Sequence, residues 1–274
     1  MSKLCFYTPP FPHVKSYYDM IDTSVQYGFD SLEGFCCFEF ATPDVEAAKR
    51  IKEYADSKNI KFSCFSVFTH FAAGEENIKK LKGYADVAKI LGSPYLHHTI
   101  VGEFADSSKV LPNKDELFES GVEAVREVYD YAESIGVKTI FEEQGYIFNG
   151  VKGFGKFIDA VQRDIGVVAD FGNIYESEDD LLDFLKAYAP KVAHAHLKDV
   201  YLKEANADGT GLDSLSGKYM YEAPVGKGVV NFKEAIKILK DSGYNGYYGL
   251  EFSSKDDNST EMSDHIKYLE SLLQ

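Results

Sequence analysis

The chain of 274 residues carries 44 acidic against 29 basic residues, a formal net charge of -15, and 45% of it is hydrophobic. Such a chain can bury a full core, stays soluble and repels polyanions, which argues against nucleic acid in the absence of any basic stretch. With no apolar run near the ~18 residues of a membrane span and no signal-peptide core, a cytoplasmic protein without membrane contact is expected.

Short β-rich runs alternate with longer amphipathic ones. Strands are predicted at Lys3–Thr8, Asp30–Gly34, Lys61–Val67, Tyr95–Thr99, Lys138–Glu142, Val167–Asp170, Val192–His196 and Tyr247–Glu251, most of them preceded by Gly or Pro. Helical patterns fall between them. Thr42–Ser57 opens on a Thr cap with Pro43 at the first helical position, and Asn77–Leu91 is stopped by Gly92. Asn113–Ile135 is stopped by Gly136, and Phe232–Leu239 and Ser263–Leu273 carry the same apolar spacing. Strand then helix, about eight times, predicts an α/β fold, a single (β/α)8 TIM barrel over residues 1–274. No GxGxxG follows the first strand, so an open dinucleotide-binding sheet has no support. The stretch from Tyr201 to Val230 interrupts the pattern and reads as a long loop after the seventh strand, on the face where barrels carry their sites. The cysteines Cys5, Cys36, Cys37 and Cys64 have neither disulfide-framework nor zinc-pair spacing and fit reduced thiols.

The later strand ends carry the chemistry: Glu142 and Glu143, Asp170, the pair His194 and His196, and Glu251. In a parallel barrel all strand C-termini meet on one face, so these groups converge although they are distant in sequence. An acid at one strand end is usually a cap, but four successive strands ending this way point to a site. Two Glu, one Asp and one neutral His suit one divalent metal (Mn, Zn, Co or Mg), whose charge also relieves the repulsion among three carboxylates.

The segments GVKTIFEEQG, GVVADFGN, VAHAHLKD, VGKGVVNF and GYNGYYGLEF, in that order, resemble the xylose isomerase-like sugar phosphate isomerase/epimerase superfamily. The likeness is looser in the first half, through GFDSLEGF around Glu33 and the strand with His97. It implies a metal held by Glu142, Asp170, His196 and Glu251, with Glu142 chosen over Glu143 by its distance from Gly136. It also places Lys198 near substrate. Its ketose 3-epimerases have a His where this chain has Asn173 and an Arg where it has Leu202. The H-x-K-D run is closer to the inosose isomerase and dehydratase branches. Alternation turns His97 toward the pocket and His98 toward the outer helices. His194 lies one layer below His196 and either touches substrate or fills the barrel. Glu33 either contacts substrate or forms an internal ion pair, and Asp199 is read as structural.

The expected activity is that of an isomerase or epimerase of a small sugar-like hydroxy-ketone. Glu142 or Glu251 removes a proton beside a carbonyl polarised by the metal, giving an enediolate. Dehydration of an inosose- or shikimate-like substrate shares the first step and is the alternative, with a non-catalytic sugar-binding barrel as a third reading. An apurinic endonuclease-like phosphodiesterase needs more histidines and a cationic face, against seven histidines and a charge of -15. A phosphate on the substrate would find backbone N–H groups and a cation at Gly226-Lys227-Gly228. A homo-oligomer, a dimer on general frequency, is expected.

Overall fold

The structure, a computed structural model, describes residues 3–7, 11–69, 73–100, 114–144, 148–177, 179–252 and 259–274. Eight parallel strands close into a barrel: β1 (Leu4–Tyr7), β2 (Ser31–Phe35), β3 (Lys61–Val67), β4 (Tyr95–His98), β5 (Lys138–Glu142), β6 (Gly166–Asp170), β7 (Val192–Leu197) and β11 (Tyr248–Glu251). The ring closes where β1 pairs with both β11 and β2. The excursion between β7 and β11 forms an antiparallel sheet of β8 (Asp199–Lys203), β9 (Leu212–Asp213) and β10 (Tyr219–Ala223), in the order β8-β10-β9.

The helices are α1 (Tyr17–Gln26), α2 (Val45–Ser57), α3 (Glu75–Leu91), α4 (Lys114–Ser134), α5 (Gly150–Val161), α6 (Leu181–Tyr188), α7 (Phe232–Asp241) and α8 (Ser259–Leu273). Three of them escape the sequence pattern. α5 contains three glycines and α6 is only eight residues long, so neither declares itself by propensity. α1 is a third, short and polar-rich. The cap of α2 is Asp44, whose carboxylate accepts from the Ala47 N–H, and not Thr42; Pro43 precedes the helix and packs on Gly83 of α3. A carboxylate at this place reaches the third N–H of the helix, as the cap geometry requires. The left-handed Gly92 ends α3 as expected. The expected loop from Tyr201 to Val230 is mostly sheet: β10 pairs with β8 through five consecutive residues from Tyr219–Lys203 to Ala223–Asp199.

Alternation along the strands sorts the side chains into two populations. Outward ones, such as Phe65, Leu96, Phe141, Ala195 and Leu250, are buried against the helices and form the main core. Phe141, for example, meets Phe157 of α5 and the outward-facing His98 edge-on. Inward ones fill the barrel in layers. Cys64, Ile140 and Val168 form a small apolar plug. Glu142 and Asp170 stand two residues further along the same strands, and His194 and His196 share the inward face of β7.

Candidate active site

The four strand-end groups named from the sequence come together. His196 Nδ1 lies 3.4 Å from Asp170 Oδ2, 3.5 Å from Glu142 Oε2 and 3.6 Å from Glu251 Oε2. The Glu142, Asp170 and His196 ligand atoms lie within 4.8 Å of one another, close enough to share one ion. His196 Nδ1 and Asp170 Oδ2 are buried and make no hydrogen bond among the described residues. Such groups are costly to bury without a partner, and a dication among them would satisfy both. The residues present therefore fit the expected metal.

Each ligand candidate is oriented by a neighbour. Asp170 Oδ1 accepts from the backbone N–H groups of Gly172 (2.8 Å) and Asn173 (2.7 Å), which leaves Oδ2 turned to the cluster. The Asn173 amide donates to Glu142 Oε1 at 3.0 Å, so the residue that departs from the epimerase pattern holds a carboxylate in place. Lys198 Nζ donates to Glu251 Oε1 at 2.8 Å. Burial would lower the Lys198 ammonium, but Glu251 and Asp170 outweigh it and hold it charged. Burial lifts the Glu251 carboxyl above its ordinary value against the pull of Lys198. Burial brings His97 down to about 4, so its imidazole is uncharged near neutral pH.

Glu33 sits beneath the cluster, fully buried, and does not line the pocket. In place of the substrate contact, it makes the internal ion pair: Oε2 is 2.6 Å from His194 Nε2 and Oε1 is 3.1 Å from His196 Nε2. Burial would raise its carboxyl, but the two imidazoles hold it well below the ordinary carboxylate range. His194 belongs to the same lower layer and likewise stays out of this pocket. Gly249 makes room for this layer, since a Cβ there would stand 3.0 Å from Glu33 Oε2.

A pocket of about 250 Å³ opens above the cluster. Phe35, Val67 and Phe68 give it an apolar side, and Glu142, Lys198, Glu251 and His97 a polar one. Tyr7 and Ser66 are among the pocket residues that the sequence did not single out. Tyr7 holds its ring 4.7 Å from that of His196, tilted by 31°, and Ser66 bonds both Glu33 and His97. Inward alternation at the ends of β1 and β3 was the available signal, and neither residue type announces chemistry.

The Gly226-Lys227-Gly228 turn does not offer its amides to a phosphate. The N–H groups of Gly226 and Gly228 both donate to Asp199 Oδ2 at 2.8 Å, while those of Val200 and Val230 bond Oδ1. A Cβ at Gly228 would run into this carboxylate, which explains the glycine. Asp199→Ala would strand four N–H groups, three of them beyond the β8–β10 sheet. We expect a loss of about 3 kcal/mol in stability and faster amide exchange at Gly226 and Gly228, measured by hydrogen–deuterium exchange; unchanged protection would contradict the role.

A sequence profile of the xylose isomerase-like TIM barrel matches residues 21–272, and the chain belongs to that family. It is 26% identical over 221 residues to an inosose dehydratase of Clostridium perfringens, spanning 76% of this chain and 73% of that one. An inosose isomerase of Halalkalibacterium halodurans is 27% identical over 212 residues, 73% of this chain and 70% of the relative. Among solved structures, a xylose isomerase domain protein from Planctomyces limnophilus superposes with a TM-score of 0.76 at 17% identity, covering 99% and 97% of the two chains. A barrel from Mycobacterium smegmatis in complex with magnesium (TM-score 0.73, 18% identity, 94% and 88%) and the IOLI protein with a zinc atom (0.70, 19%, 98% and 96%) have the same fold. Among the described residues no helix is long and apolar enough to cross a membrane.

Proposed function

We propose that the chain is a divalent-metal-dependent enzyme that moves a proton beside the carbonyl of an uncharged, sugar-like hydroxy-ketone of inosose type, as an isomerase or epimerase. The observation that carries this is the ring of three carboxylates around an unpartnered His196 Nδ1, directly under a pocket that also holds a lysine. Glu142, Asp170, His196 and Glu251 would hold the metal, which when bound acidifies the C–H next to the substrate carbonyl. Glu142 or Glu251 takes that proton, and the Lys198 ammonium stabilises the negative charge developing on the carbonyl oxygen. The apolar side of the pocket excludes water from the enediolate. Return of the proton to the opposite face gives epimerisation, and to the neighbouring carbon, isomerisation.

Charge supports a neutral substrate. The chain has three arginines, none in the pocket: Arg126 bonds the carbonyls of Ala160 and Val161, Arg163 pairs with Asp130, and Arg50 lies on α2. Lys198 is the cation among the described pocket residues, and it is tied to Glu251. A phosphate or carboxylate would meet a cluster of acids with no fork to receive it.

The sequence likeness to inosose dehydratases favours a second reading, in which the same carbanion expels a β-hydroxyl as water. One experiment addresses both. Elemental analysis should find about one divalent metal per chain, lost in a Glu142→Ala, Glu251→Ala double variant. Incubation with an inosose in deuterated water should then exchange a substrate C–H. A new ultraviolet chromophore from the dehydrated ketone would select the lyase; its absence with exchange would select the isomerase or epimerase. Absence of metal even after soaking would overturn the site.

A further inference from the structure

We infer that Glu33, acting through Ser66, is a positioning residue for His97 as well as for His196, and that His97 offers its Nε2 lone pair to a substrate hydroxyl. The substrate half of this rests on the function proposed above; the positioning half does not.

Glu33, Ser66 and His97 form one hydrogen-bonded chain whose protons can be counted. An ionised carboxylate only accepts. Glu33 Oε2 therefore takes the Nε2–H of His194 and Oε1 takes the Nε2–H of His196, which leaves His196 Nδ1 facing Glu142, Asp170 and Glu251. Ser66 Oγ also bonds Glu33 Oε1, and its single proton is spent there. Ser66 Oγ must then accept from its other close neighbour, His97 Nδ1, at 3.0 Å. The Cys64 thiol, 3.9 Å away, meets the remaining lone pair of the hydroxyl as a weak donor.

His97 therefore carries its proton on Nδ1, and the uncharged ring is left with a bare Nε2. That atom is buried, belongs to a residue lining the pocket, and makes no hydrogen bond among the described residues. It stands 3.6 Å from Glu142 Oε2, too far for a hydrogen bond and facing another acceptor. Two acceptors side by side ask for a donor, and a ketone oxygen cannot supply one. A hydroxyl group can, with its proton directed to His97. Lys198, two strands further round the barrel from β5, can only donate, and so suits the carbonyl oxygen. The two residues together dictate which way round a hydroxy-ketone lies, hydroxyl toward β4 and carbonyl toward β7. One buried carboxylate thus orients the imidazole that faces the carboxylate cluster and, through Ser66, sets the tautomer of the one that reads the substrate.

The test is a two-bond proton–nitrogen correlation spectrum of the imidazoles in the full-length protein in magnesium buffer, with His97 assigned by a His97→Gln variant. We expect His97 as the Nδ1–H tautomer in the wild type. Ser66→Ala should release that tautomer and raise KM for an inosose about tenfold, the loss of one hydrogen bond, with a smaller change in kcat. Ser66→Thr keeps the hydroxyl and should restore both. An Nε2–H tautomer in the wild type, or a Ser66→Ala variant with unchanged tautomer and KM, would overturn the inference. The spectra need no turnover. A protein that shows the expected tautomers but exchanges no proton on any inosose would retire the proposed activity while keeping the positioning role.

Discussion

Glu142→Gln is expected to lower the rate of substrate C–H exchange by about 10²–10⁴-fold, the range that a positioned general base contributes. The side chain keeps its shape, so the barrel should unfold at nearly the wild-type temperature. What changes is the chemistry at two oxygens. Oε1 accepts from the Asn173 amide, and Oε2 faces His196 Nδ1 and His97 Nε2. A glutamine there cannot take a proton, and its amide replaces one acceptor by a donor. Metal content separates the two ways of failing. Lost exchange with metal retained makes Glu142 the base, whereas lost metal makes it a ligand first. Undiminished exchange, followed by proton NMR of an inosose in deuterated water, would remove Glu142 from the reaction.

Glu33→Gln carries the second large effect, on stability as well as on the site. The wild-type carboxylate accepts from His194, His196 and Ser66 in a fully buried layer. Glutamine offers one acceptor oxygen and turns a donor toward the remaining N–H or O–H groups. Removing one side of such a buried charged network costs about 3–5 kcal/mol, which lowers Tm on the order of 10 °C in a chain of this size. Metal affinity should fall about 10–100-fold, because the imidazole that faces the cluster loses its anchor. The pH dependence has a definite sign. Burial would raise the folded carboxyl, but the imidazoles hold it well below its ordinary 4.5. Its stabilisation is therefore full above pH 4.5 and is lost as pH falls through the folded value. The Tm gap between wild type and variant should be widest near neutrality and close in acid. A variant with wild-type Tm and metal affinity at pH 7 would show that Glu33 is not the anchor.

Much of this protein was legible before folding. Lys61–Val67 and Lys138–Glu142 are strands at the residues that periodicity marks, and the others differ at their ends by about a residue. Glu142 was chosen over Glu143 by its distance from Gly136, as the resemblance implies, and strand alternation puts the two on opposite faces. Glu142 turns to the cluster, while Glu143 turns away and accepts from the Gly150 N–H. The spacing of two in His194-Ala195-His196 puts both rings inside the barrel, and an acid or histidine on four successive strand ends foretold convergence.

Other features depend on contacts that no window of sequence contains. α5 is helical against its glycines because Phe154 and Phe157 are buried against neighbouring elements. The Tyr201–Val230 stretch becomes sheet because β8 and β10 find each other across fifteen intervening residues. Asp199 closes the turn at Gly226 and Gly228 and occupies the amides that the sequence offered to a phosphate. The roles of Glu33 and Ser66 lie furthest from the sequence. Their partners are 31 to 163 residues away, and only closure of the barrel brings β2, β3, β4 and β7 into one hydrogen-bonded layer. The sequence by itself determined the barrel and the types of side chain at its rim, because both follow from periodicities of a few residues. Which carboxylate serves the cluster from below, and which groups each imidazole meets, were decided by the tertiary structure, because hydrogen bonds are directional and their partners meet only in three dimensions.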